Sequence, residues 1–595
     1  MYDVNLGVRD YFSYTEAMFN NSLFLTFLEQ NGLNIYKGES TRDIICLDFD
    51  FGTRSYEEEH KRIEELLWKS SGELRDHLEL ALKKIENNKS LYDAKKREEI
   101  RDDFYNNGVS VTYKIKNKDG SLKSQETIHY RMLYRTSAKA KLGQVIFINS
   151  ELYEVAYDWL TMGLGKKMNN ENAKIVEMSA YAPLTTSTIV GKKYIPVENI
   201  LILKDQDSFF KTAALIVRAD EYTDSSGSVN KKCVVDKMET EVKNTLWDGM
   251  GLIESSYFSD CQNAYDPSKT EKINGMALMR HHWFKMCGFK AHIQLFFKDW
   301  CEKTGNDYET YQVQDMFGHW HYLKDIKVIT TDNAIKWKKF KELMGGSLEA
   351  AYDYWCEKVN ENDCIFGVVK TDHPSKLGEY QQLSYQMVNT LPCTKDDVRD
   401  IAKISIEYVE LLKKDNDEFE KFLRKNANEV NHYEMMADLY THNKEFGNST
   451  FFRYEKSKII SAYVHKLRKG KIVVNGDNLT TCGNPYALLL YSVGEDFEND
   501  PTLKPEDNII QCYTKRFEND EKLCAFRNPH NSPNNICYFH NVYSPEMERY
   551  LDFSKNIIAV NNIGTDFQAR SNGSDHDSRV KIGSVQRKLC SKNNR

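Results

Sequence analysis

The spacing of hydrophobic residues changes period several times along this sequence, and these changes divide the chain into segments. Between residues 55 and 105, apolar residues such as Ile63, Leu67 and Leu74 recur at helical spacing among Glu and Lys, which predicts amphipathic helices with one solvated face. Short apolar runs between 174 and 331 predict a mostly β region. Helical spacing returns from 333 to about 424, and a second β-rich region begins near 459. This order predicts an α+β protein.

A chain of 595 residues is too long for one compact core, so several domains are expected. The predicted divisions are a helical N-terminal region, a β domain, a helical connecting segment, a second β domain and a basic tail, at 1–174, 175–345, 346–455, 456–578 and 579–595. The predicted strands are the short apolar runs at 199–204, 214–219, 291–297, 326–331, 471–474, 487–491 and 556–561.

Composition limits the class of function. Hydrophobic residues make up 41% and charged residues 28% of the chain, which argues against wholesale disorder. The net charge of −7 includes six basic and no acidic residues from Arg579 onward, so the body before Arg579 is more acidic than the total. An acidic body excludes a protein that coats nucleic acid with its whole surface, although a locally basic channel is compatible with it.

Cysteine usage and hydropathy indicate a cytoplasmic protein. The 13 cysteines include no C-x-x-C pair, and no Cys/His cluster has the spacing of a zinc site. No signal peptide opens the chain, and no run approaches the roughly 18 apolar residues of a membrane span. The sequence therefore predicts reduced thiols in a cytosol and no membrane partner.

The segment Asn572 to Ser578 reads NGSDHDS and is the strongest candidate for chemistry. Two acids at i and i+2 on a tight loop are able to aim both carboxylates at one cation, and hard oxygen ligands suit Mg²⁺. The spacing alone is weak, because three further D-x-D pairs occur, at Asp48/Asp50, Asp205/Asp207 and Asp415/Asp417. Each of those is predicted to be an ordinary surface or capping pair.

The segments that precede this loop strengthen its interpretation as a metal site. They are, in chain order, Lys471–Pro485, Arg527-Asn528-Pro529, Pro533–Ile536, the predicted strand 556–561, and Phe567–Arg570. This ordered run resembles the catalytic barrel of cellular-type RNA polymerases. It is most similar to the single-chain RNA-dependent RNA polymerases of RNA silencing and their phage-encoded relatives, in which an N-P…P-G-D-I segment precedes a G-S-D-x-D-G-D metal loop.

The first β region also resembles part of that family. Trp247–Gly251 looks like its D-G-x-G turn, Phe284–Lys290 like its F-Q-x-R-x-G-x-K-G segment, and Ile335–Phe340 like the short basic segment that follows. The resemblance covers roughly residues 175–345 and 455–578. It implies two six-stranded double-psi β-barrels packed side by side, with a helical N-terminal region and a helical segment between them.

The resemblance also implies a Mg²⁺-dependent, template-directed nucleotidyltransferase that uses nucleoside triphosphates. By position, Asp575 and Asp577 are the expected metal ligands. Lys285 and Lys290 are expected to contact phosphates, and Arg527 with Asn528 is expected to contact the nucleotide. The adjacent His281 and His282 are predicted to be structural, because neighbouring residues on a strand point to opposite faces.

The sequence departs from the family in two respects. The third aspartate of the family's loop is replaced by Arg579, which removes a ligand and adds a permanent positive charge. Family members also continue well beyond the metal loop, whereas only 16 residues follow Arg579 here. This difference predicts either a truncated polymerase that lacks its C-terminal region or a genuine basic tail.

Three functions stay open at this stage. The first is a template-directed RNA polymerase, impaired by Arg579 and the short C-terminus. The second is a catalytically inactive, polymerase-derived protein that binds nucleic acid or a partner. The third is an unrelated multidomain cytosolic protein. The sequence does not distinguish an RNA template from a DNA template, and it does not give primer dependence or oligomeric state.

Overall fold

The fold is taken from a computed structural model of the chain. It describes residues 12–16, 21–34, 41–49, 56–87, 89, 94–116, 122–135, 144–168, 175–258, 261–263, 270–271, 274–375, 377–391, 393–428, 430–507, 509–576 and 579–583. Helices and sheets alternate along these residues, so the α+β class is confirmed. Within the described ranges, none of the helices has the length and apolarity that crossing a bilayer requires.

The N-terminal region contains a sheet that the hydrophobic pattern did not predict. Five antiparallel strands form it in the order β1-β2-β5-β4-β3: β1 (Phe12–Glu16), β2 (Ile44–Phe49), β3 (Val109–Lys116), β4 (Leu122–Tyr134) and β5 (Gln144–Asn149). The helices of this region are Leu23–Gln30, Tyr56–Trp68, Glu73–Asn87, Ala94–Asn107 and Ser150–Leu160. The prediction of amphipathic helices between 55 and 105 is thus confirmed. The prediction that the whole N-terminal region is helical is incomplete, because it missed this sheet.

The first β region holds a sheet of nine strands and two separate hairpins. Its strands are β6 (Gly191–Tyr194), β7 (Ile200–Leu203), β8 (Asp207–Thr223), β9 (Val229–Thr245), β10 (Met250–Glu254), β11 (Cys261–Asn263), β12 (Thr270–Glu271), β13 (Met276–His281), β14 (Phe284–Ala291), β15 (Gln312–Gln314), β16 (Trp320–Tyr322), β17 (Val328–Thr331) and β18 (Ile365–Thr371). The sheet order is β12-β11-β6-β18-β13-β14-β10-β17-β7. Its described strands form an open sheet, which differs from the six-stranded barrel that the resemblance implied.

Strand β18 lies beyond the predicted end of the first β domain at residue 345. It pairs with β13 and β6 in the middle of the sheet. The helix Leu348–Asn360 precedes it and packs Trp355 and Val359 into the core of the same sheet. The first β domain therefore extends to Thr371, and part of the predicted connecting segment belongs to it.

Two runs that were predicted as strands are helices. The run 291–297 falls largely within the helix Ile293–Thr304, and the run 487–491 lies in the helix Pro485–Ser492. A short continuous apolar run does not distinguish a buried strand from a buried helix. Pro485 occupies the first turn of its helix, where its missing N–H costs no hydrogen bond, and this was the overlooked signal.

The connecting segment is helical, as predicted. Its helices are Tyr385–Thr390, Lys395–Lys414, Asn416–Asn426, Tyr433–His442 and Thr450–Arg468. The last four pack around one apolar cluster that includes Leu412, Phe419 and Phe452, all fully buried, whereas the first packs Met387 against Phe526 and its neighbours in the second β region. A two-stranded ladder of β19 (Tyr380–Gln382) and β20 (Val473–Asn475) joins the two ends of the segment.

The second β region is a closed ring. Its strands are β21 (Asp477–Gly483), β22 (Pro505–Glu506), β23 (Ile509–Tyr513), β24 (Lys522–Phe526), β25 (Ile536–Asn541), β26 (Ile557–Val560) and β27 (Arg579–Gly583). Pairing follows β23-β25-β24-β27-β21-β26 and returns from β26 to β23, with β22 added beside β23. The short helices Pro545–Tyr550 and Phe567–Arg570 lie between strands of this ring.

Strand β27 corrects the prediction of a basic tail that begins at Arg579. Residues 579–583 pair with both β21 and β24 and so close the ring. Val580 and Ile582 alternate into the core, and each is 1% exposed. Lys581 lies between them and made the segment look like a polar tail, although the apolar alternation over Val580 and Ile582 was the strand signal. The remaining residues of the predicted tail, 584–595, lie outside the described ranges.

The two β regions share one hydrophobic core. Trp247, Met250 and Phe289 from the first sheet lie in the same buried cluster as Cys482 and Ala559 from the ring. Burial of these side chains removes apolar surface from water, and each Å² of apolar surface buried stabilises the contact by about 25 cal/mol. The part of the first β region around Trp247 is therefore fixed against the ring.

The pair His281 and His282 is structural, as predicted. Both rings are buried, and the Nδ1 atom of His281 accepts a hydrogen bond of 2.8 Å from the backbone N–H of His282. Burial lowers the pKa of His281 to about 3 and that of His282 well below its ordinary value. Both rings are therefore neutral in the folded protein.

This burial predicts a loss of stability in mild acid. Between pH 6.5 and the lowered pKa of His281, the unfolded chain binds a proton at this residue and the folded chain does not. The free energy of unfolding therefore falls as the pH decreases through this range, and it is constant at pH values well above 6.5. The natural sequence should lose about 2 kcal/mol more than His281→Gln between pH 6.5 and pH 4.5. Urea unfolding at both pH values measures the difference, and equal losses would contradict the assignment.

Candidate active site

The loop that follows the helix Phe567–Arg570 carries the predicted metal ligands. It turns through Asn572 and Gly573, which have φ angles of 55° and 66°. Asn and Gly are the residues that tolerate this left-handed conformation best. The N–H of Gly573 donates to the carbonyl of Gln568 at 2.8 Å and caps the short helix. The described part of the loop ends at His576, so Asp577 lies outside the described residues.

His576 fastens the loop to both β regions. Its backbone N–H donates to the carbonyl of Asp248 in the first region at 2.8 Å. Its ring is fully buried, and its Nε2 lies 2.7 Å from the Nδ2 donor of Asn562 in the second region. Burial lowers the pKa of this ring to about 4, which keeps it neutral and able to accept that hydrogen bond. Asp575, the preceding residue, is thereby held at the junction of the two regions.

Gly483 makes this docking possible. A Cβ atom at Gly483 would lie 2.2 Å from the carbonyl oxygen of Leu246 and 2.7 Å from His576 Nε2. No side chain fits between these atoms, so the ring strand β21 approaches the backbone of the first region directly. The N–H of Gly483 donates to the sulfur of Met250 at 3.2 Å.

Amide side chains seal the same junction. Asn244 donates to the carbonyls of Asn562 and Thr565 at 2.9 and 2.7 Å. Gln568 forms two hydrogen bonds with the backbone of Thr245, at 2.8 and 2.7 Å. Buried amides of this kind are costly unless paired, so these bonds fix the relative position of the two β regions.

Arg527 lies against the loop, as the sequence predicted for a residue of the site. Its Nη1 donates to the carbonyl of Ser571 at 2.7 Å, and its Nη2 lies 3.7 Å from Oδ1 of Asp575. The guanidinium is held mainly by the backbone carbonyl, and its longer contact with Asp575 is a weak ion pair. Arg527 is thus positioned beside one of the two predicted metal ligands.

Asn528 points to a different neighbour. Its Oδ1 accepts a hydrogen bond from Ser384 at 3.3 Å, at the start of the helix Tyr385–Thr390. Asn535, which was not predicted as a site residue, supports the loop instead, because its Nδ2 donates to the carbonyl of Arg570 at 2.7 Å. The Pro533–Ile536 segment was the sequence signal for this residue.

Lys290 also lies where the two β regions meet. Its Nζ forms an ion pair of 2.6 Å with Asp552, and the backbone of strand β14 bridges to Leu551. Although burial alone would raise the pKa of the Asp552 carboxyl, the hydrogen bond and charge of Lys290 bring it below its ordinary value. The ammonium of Lys290 therefore already has an anionic partner.

The structure does not bring Lys285 and Lys290 to one face. They lie five positions apart on β14, which pairs with β13 in unbroken register from Phe284 to Phe289. Side chains alternate between the faces of a strand, so an odd separation puts these two on opposite faces. The backbone N–H of Lys285 donates to Ala334 at 2.9 Å.

The basic segment Ile335–Phe340 contributes ion pairs on the first region. Lys338 Nζ lies 2.7 Å from Asp332, which also binds Lys204 at 2.7 Å. Lys339 lies 3.8 Å from Glu177. Hydrogen bonds from the two lysines hold the pKa of Asp332 below its ordinary value, against the opposing effect of burial.

The pair Asp415/Asp417 has the capping role that was predicted, whereas the pair Asp205/Asp207 fits the surface prediction only at Asp207, which is exposed. Asp415 caps the helix Asn416–Asn426 by accepting from the N–H of Asp417 at 2.8 Å. Asp207 pairs with Lys243 at 2.7 Å. Asp205 is half-buried, and its desolvation raises its pKa to about 6. For the pair Asp48/Asp50, Asp50 lies outside the described residues.

Asp248 and Asp205 were overlooked as parts of the site. Asp205 accepts a hydrogen bond of 3.2 Å from the N–H of Trp247, and it thus supports the turn whose next carbonyl, that of Asp248, holds His576. The Trp247 ring donates to the carbonyl of Asn484 at 3.1 Å across the junction. The D-G-x-G pattern marked this turn, but nothing in the spacing indicated that it contacts the loop.

The donor chemistry of the loop fits a magnesium ion, because carboxylate oxygens are its preferred protein ligands. Asp575 supplies one carboxylate at the junction of the two β regions, and Asp577 follows two residues later. In the part of the chain that the structure describes, no group of three His, Cys, Asp or Glu side chains is arranged to hold a metal ion. The second predicted ligand is outside that part.

Comparisons with known proteins show a coarse likeness to solved structures and nothing at the level of sequence families. No protein-family model matches the sequence, and no curated protein matches it. Among solved structures, the chain is similar to the RNA dependent RNA polymerase QDE-1 from Thielavia terrestris, with a TM-score of 0.46 and 12% sequence identity. The alignment covers 77% of this chain and 44% of that one, so this chain spans less than half of that protein's length.

Proposed function

We propose that this chain is a template-directed nucleotidyltransferase of the two-barrel RNA polymerase type. In this proposal the closed ring of the second β region is a double-psi barrel that works together with the sheet of the first β region, and the substrates are nucleoside triphosphates on a nucleic-acid template. The observation that supports it best is the position of the loop. His576 fastens the loop to Asp248 in one β region and to Asn562 in the other, so Asp575 lies where the two regions meet. In an enzyme of this type the active site lies at that junction.

The predicted site residues other than Asn528 each have a role in the proposed reaction. Asp575 and Asp577 would hold Mg²⁺, which supplies charge neutralisation of the triphosphate when bound. Arg527 is held by the carbonyl of Ser571, so its guanidinium is oriented before a nucleotide arrives, as electrostatic stabilisation of a developing charge requires. Lys290 would contact a phosphate in exchange for Asp552, and Lys285 would contact nucleic acid on the other face of β14.

The second candidate is a polymerase-derived protein that binds nucleic acid without catalysis. Two observations favour it. Nη2 of Arg527 lies 3.7 Å from Asp575, and Arg579 stands where the family has a third aspartate. Both cations reduce the attraction of the loop for Mg²⁺. In either case we place the chain in the cytosol, where its cysteines, which form no disulfide within the described ranges, stay reduced.

Both candidates predict salt-sensitive nucleic-acid binding. Raising monovalent salt from about 50 mM to about 200 mM should weaken binding of single-stranded RNA at least tenfold, because phosphate contacts release counterions. Fluorescence anisotropy measures the affinity. Lys285→Gln should weaken binding and flatten the salt dependence, whereas Lys413→Gln near the C-terminal end of the helix Lys395–Lys414, where Lys413 pairs with Glu410 at 2.8 Å, should change neither. Affinity that does not depend on salt would contradict both candidates.

Catalysis separates the two candidates. The test is incorporation of labelled nucleotides into acid-insoluble product, with and without template and with and without Mg²⁺. Product that requires both supports the nucleotidyltransferase. Salt-sensitive binding without any product supports the binding protein if Arg579→Asp, which restores the third aspartate of the family's loop, is inactive under the same conditions.

A further inference from the structure

Strands β8 and β9 form a long hairpin that stands apart from the main sheet. They pair residue for residue from Asp207–Thr245 to Thr223–Val229, and each strand has 17 residues. No other described strand pairs with either of them. At about 3.3 Å per residue, the hairpin is about 55 Å long. An isolated two-stranded hairpin is only marginally stable in water, so this one is expected to have a partner.

Both faces of the hairpin expose apolar side chains. One face carries Leu215, Val217 and Val235, which are 72%, 65% and 59% exposed. The opposite face carries a row of side chains that are less exposed because they cover one another: Phe210, Ala214, Ile216, Val234, Met238 and Val242. Exposed apolar patches of this kind on a protein surface mark interaction sites.

The balanced charge of the hairpin argues against a polyanionic partner such as nucleic acid or an anionic membrane. Between residues 207 and 245 there are seven acidic and six basic side chains. Several are already paired, including Arg218 with Asp236 at 3.0 Å and Lys243 with Asp207 at 2.7 Å. A surface that binds nucleic acid or an anionic membrane needs an excess of positive charge. The partner is therefore a protein surface.

The two edges of the hairpin differ in how well their side chains protect them against pairing with another strand. Edge strands avoid unwanted pairing by carrying charged residues, above all lysine. Strand β9 is protected in this way by a series of charged side chains: Lys231, Lys232, Asp236, Lys237, Glu239, Glu241 and Lys243. Strand β8 has an uncharged run from Thr212 to Val217, with sequence TAALIV. Such a run, rich in β-branched and apolar residues and without Pro or Gly, is suited to strand pairing.

Strand β8 is complementary to itself. If two copies pair antiparallel about a two-fold axis at Leu215, the middle of the strand, Ala214 faces Ile216 and Thr212 faces Arg218. Lys211 then faces Ala219, with Glu221 at the diagonal position, where an opposite charge is favourable. No like charges face each other. The same full-length pairing of β9 would set Lys237 against Lys237 and Lys231 against Lys243.

We propose that this surface is an interface between two copies of the chain. The β8 strands pair antiparallel through their outer edges and join two hairpins into one four-stranded sheet. The pairing satisfies the outward backbone groups of β8 and brings the apolar faces of both hairpins together. It does not depend on any catalytic activity, so it stands apart from the proposed function.

The test is the monomer–dimer equilibrium of the full chain, measured by sedimentation over a concentration series. Leu215→Glu and Leu215→Lys each place like charges face to face across the axis, and each should raise the dissociation constant at least tenfold. An equal mixture of the two variants should restore the affinity, because a Glu then faces a Lys. Leu215 is so exposed that neither substitution should disturb the fold, which circular dichroism checks.

Val235→Glu is the matched control, because Val235 is on the same face but on the protected strand β9. It should change the dissociation constant much less than Leu215→Glu. A natural chain that stays monomeric up to about 100 µM would overturn the proposal. Equal effects of the two substitutions would overturn the edge pairing, as would an unrestored mixture. Loss of RNA affinity in Leu215→Glu without any change of mass would show a nucleic-acid surface instead.

Discussion

A chain in which Arg579 is replaced by aspartate should incorporate nucleotides in Mg²⁺ at least about tenfold faster than the natural sequence. Arg579 follows Asp577 by two residues and begins strand β27, in the position where the resembling family has a third aspartate. Replacement changes the charge beside the loop by two units. Two unit charges 4 Å apart interact by about 4 kcal/mol at an effective dielectric constant of about 20. Each 1.4 kcal/mol corresponds to about a factor of ten.

The control for this substitution is Arg75→Asp, which makes the same charge change at an exposed position of the helix Glu73–Asn87 in the N-terminal region. It should leave incorporation unchanged. Magnesium titrations of both variants show whether the gain comes from metal affinity, because Arg579→Asp should then need less Mg²⁺ for half-maximal rate. A natural chain as active as Arg579→Asp would show that the arginine does not impair the loop.

Replacing Gly483 by alanine should remove the docked loop from its position and destabilise the fold by about 2–3 kcal/mol. The added Cβ would lie 2.2 Å from the backbone oxygen of Leu246 and 2.7 Å from His576 Nε2. A backbone atom is not able to move aside as a flexible side chain does, so the two β regions must separate locally. We expect lower thermal stability and faster hydrogen exchange of the backbone at His576.

Gly494→Ala is the matched control for this strain. Gly494 has a φ of 78° and no neighbouring atom within 4 Å of an added Cβ, so alanine there costs only the left-handed backbone penalty of about 1–2 kcal/mol. Hydrogen exchange at His576 should not change in this variant. If Gly483→Ala were as stable as the natural chain and exchanged at the same rate, the close contact between β21 and Leu246 would be wrong.

Local patterns predicted the elements of this fold better than their assembly. The helices between residues 55 and 105 and the strands Ile200–Leu203, Val328–Thr331 and Ile557–Val560 follow from periodicity. The sheet of the N-terminal region was missed, because strands such as Ile44–Phe49 are short and lie far apart in sequence. Strand β18 was missed for the same reason, since pairing between distant segments leaves no periodic signal.

The candidate site was predictable to a similar degree. The order of motifs led to the loop and to Arg527, which the structure places beside Asp575. The order of motifs did not indicate the hydrogen bond from His576 to Asp248, because a local sequence pattern does not determine which distant carbonyl accepts from a buried backbone N–H. The opposite faces of Lys285 and Lys290 follow from their odd spacing on one strand, a point that the sequence analysis did not draw.

The central claim is that the carboxylates of the loop carry out nucleotidyl transfer, and one comparison tests it most directly. Template-directed incorporation is measured for Arg579→Asp and for the same chain with Asp577→Ala added. The account predicts Mg²⁺-dependent product from the first chain and a fall of at least about a hundredfold in the second. Equal rates in the two chains, or no product from either one while both remain folded, would contradict it.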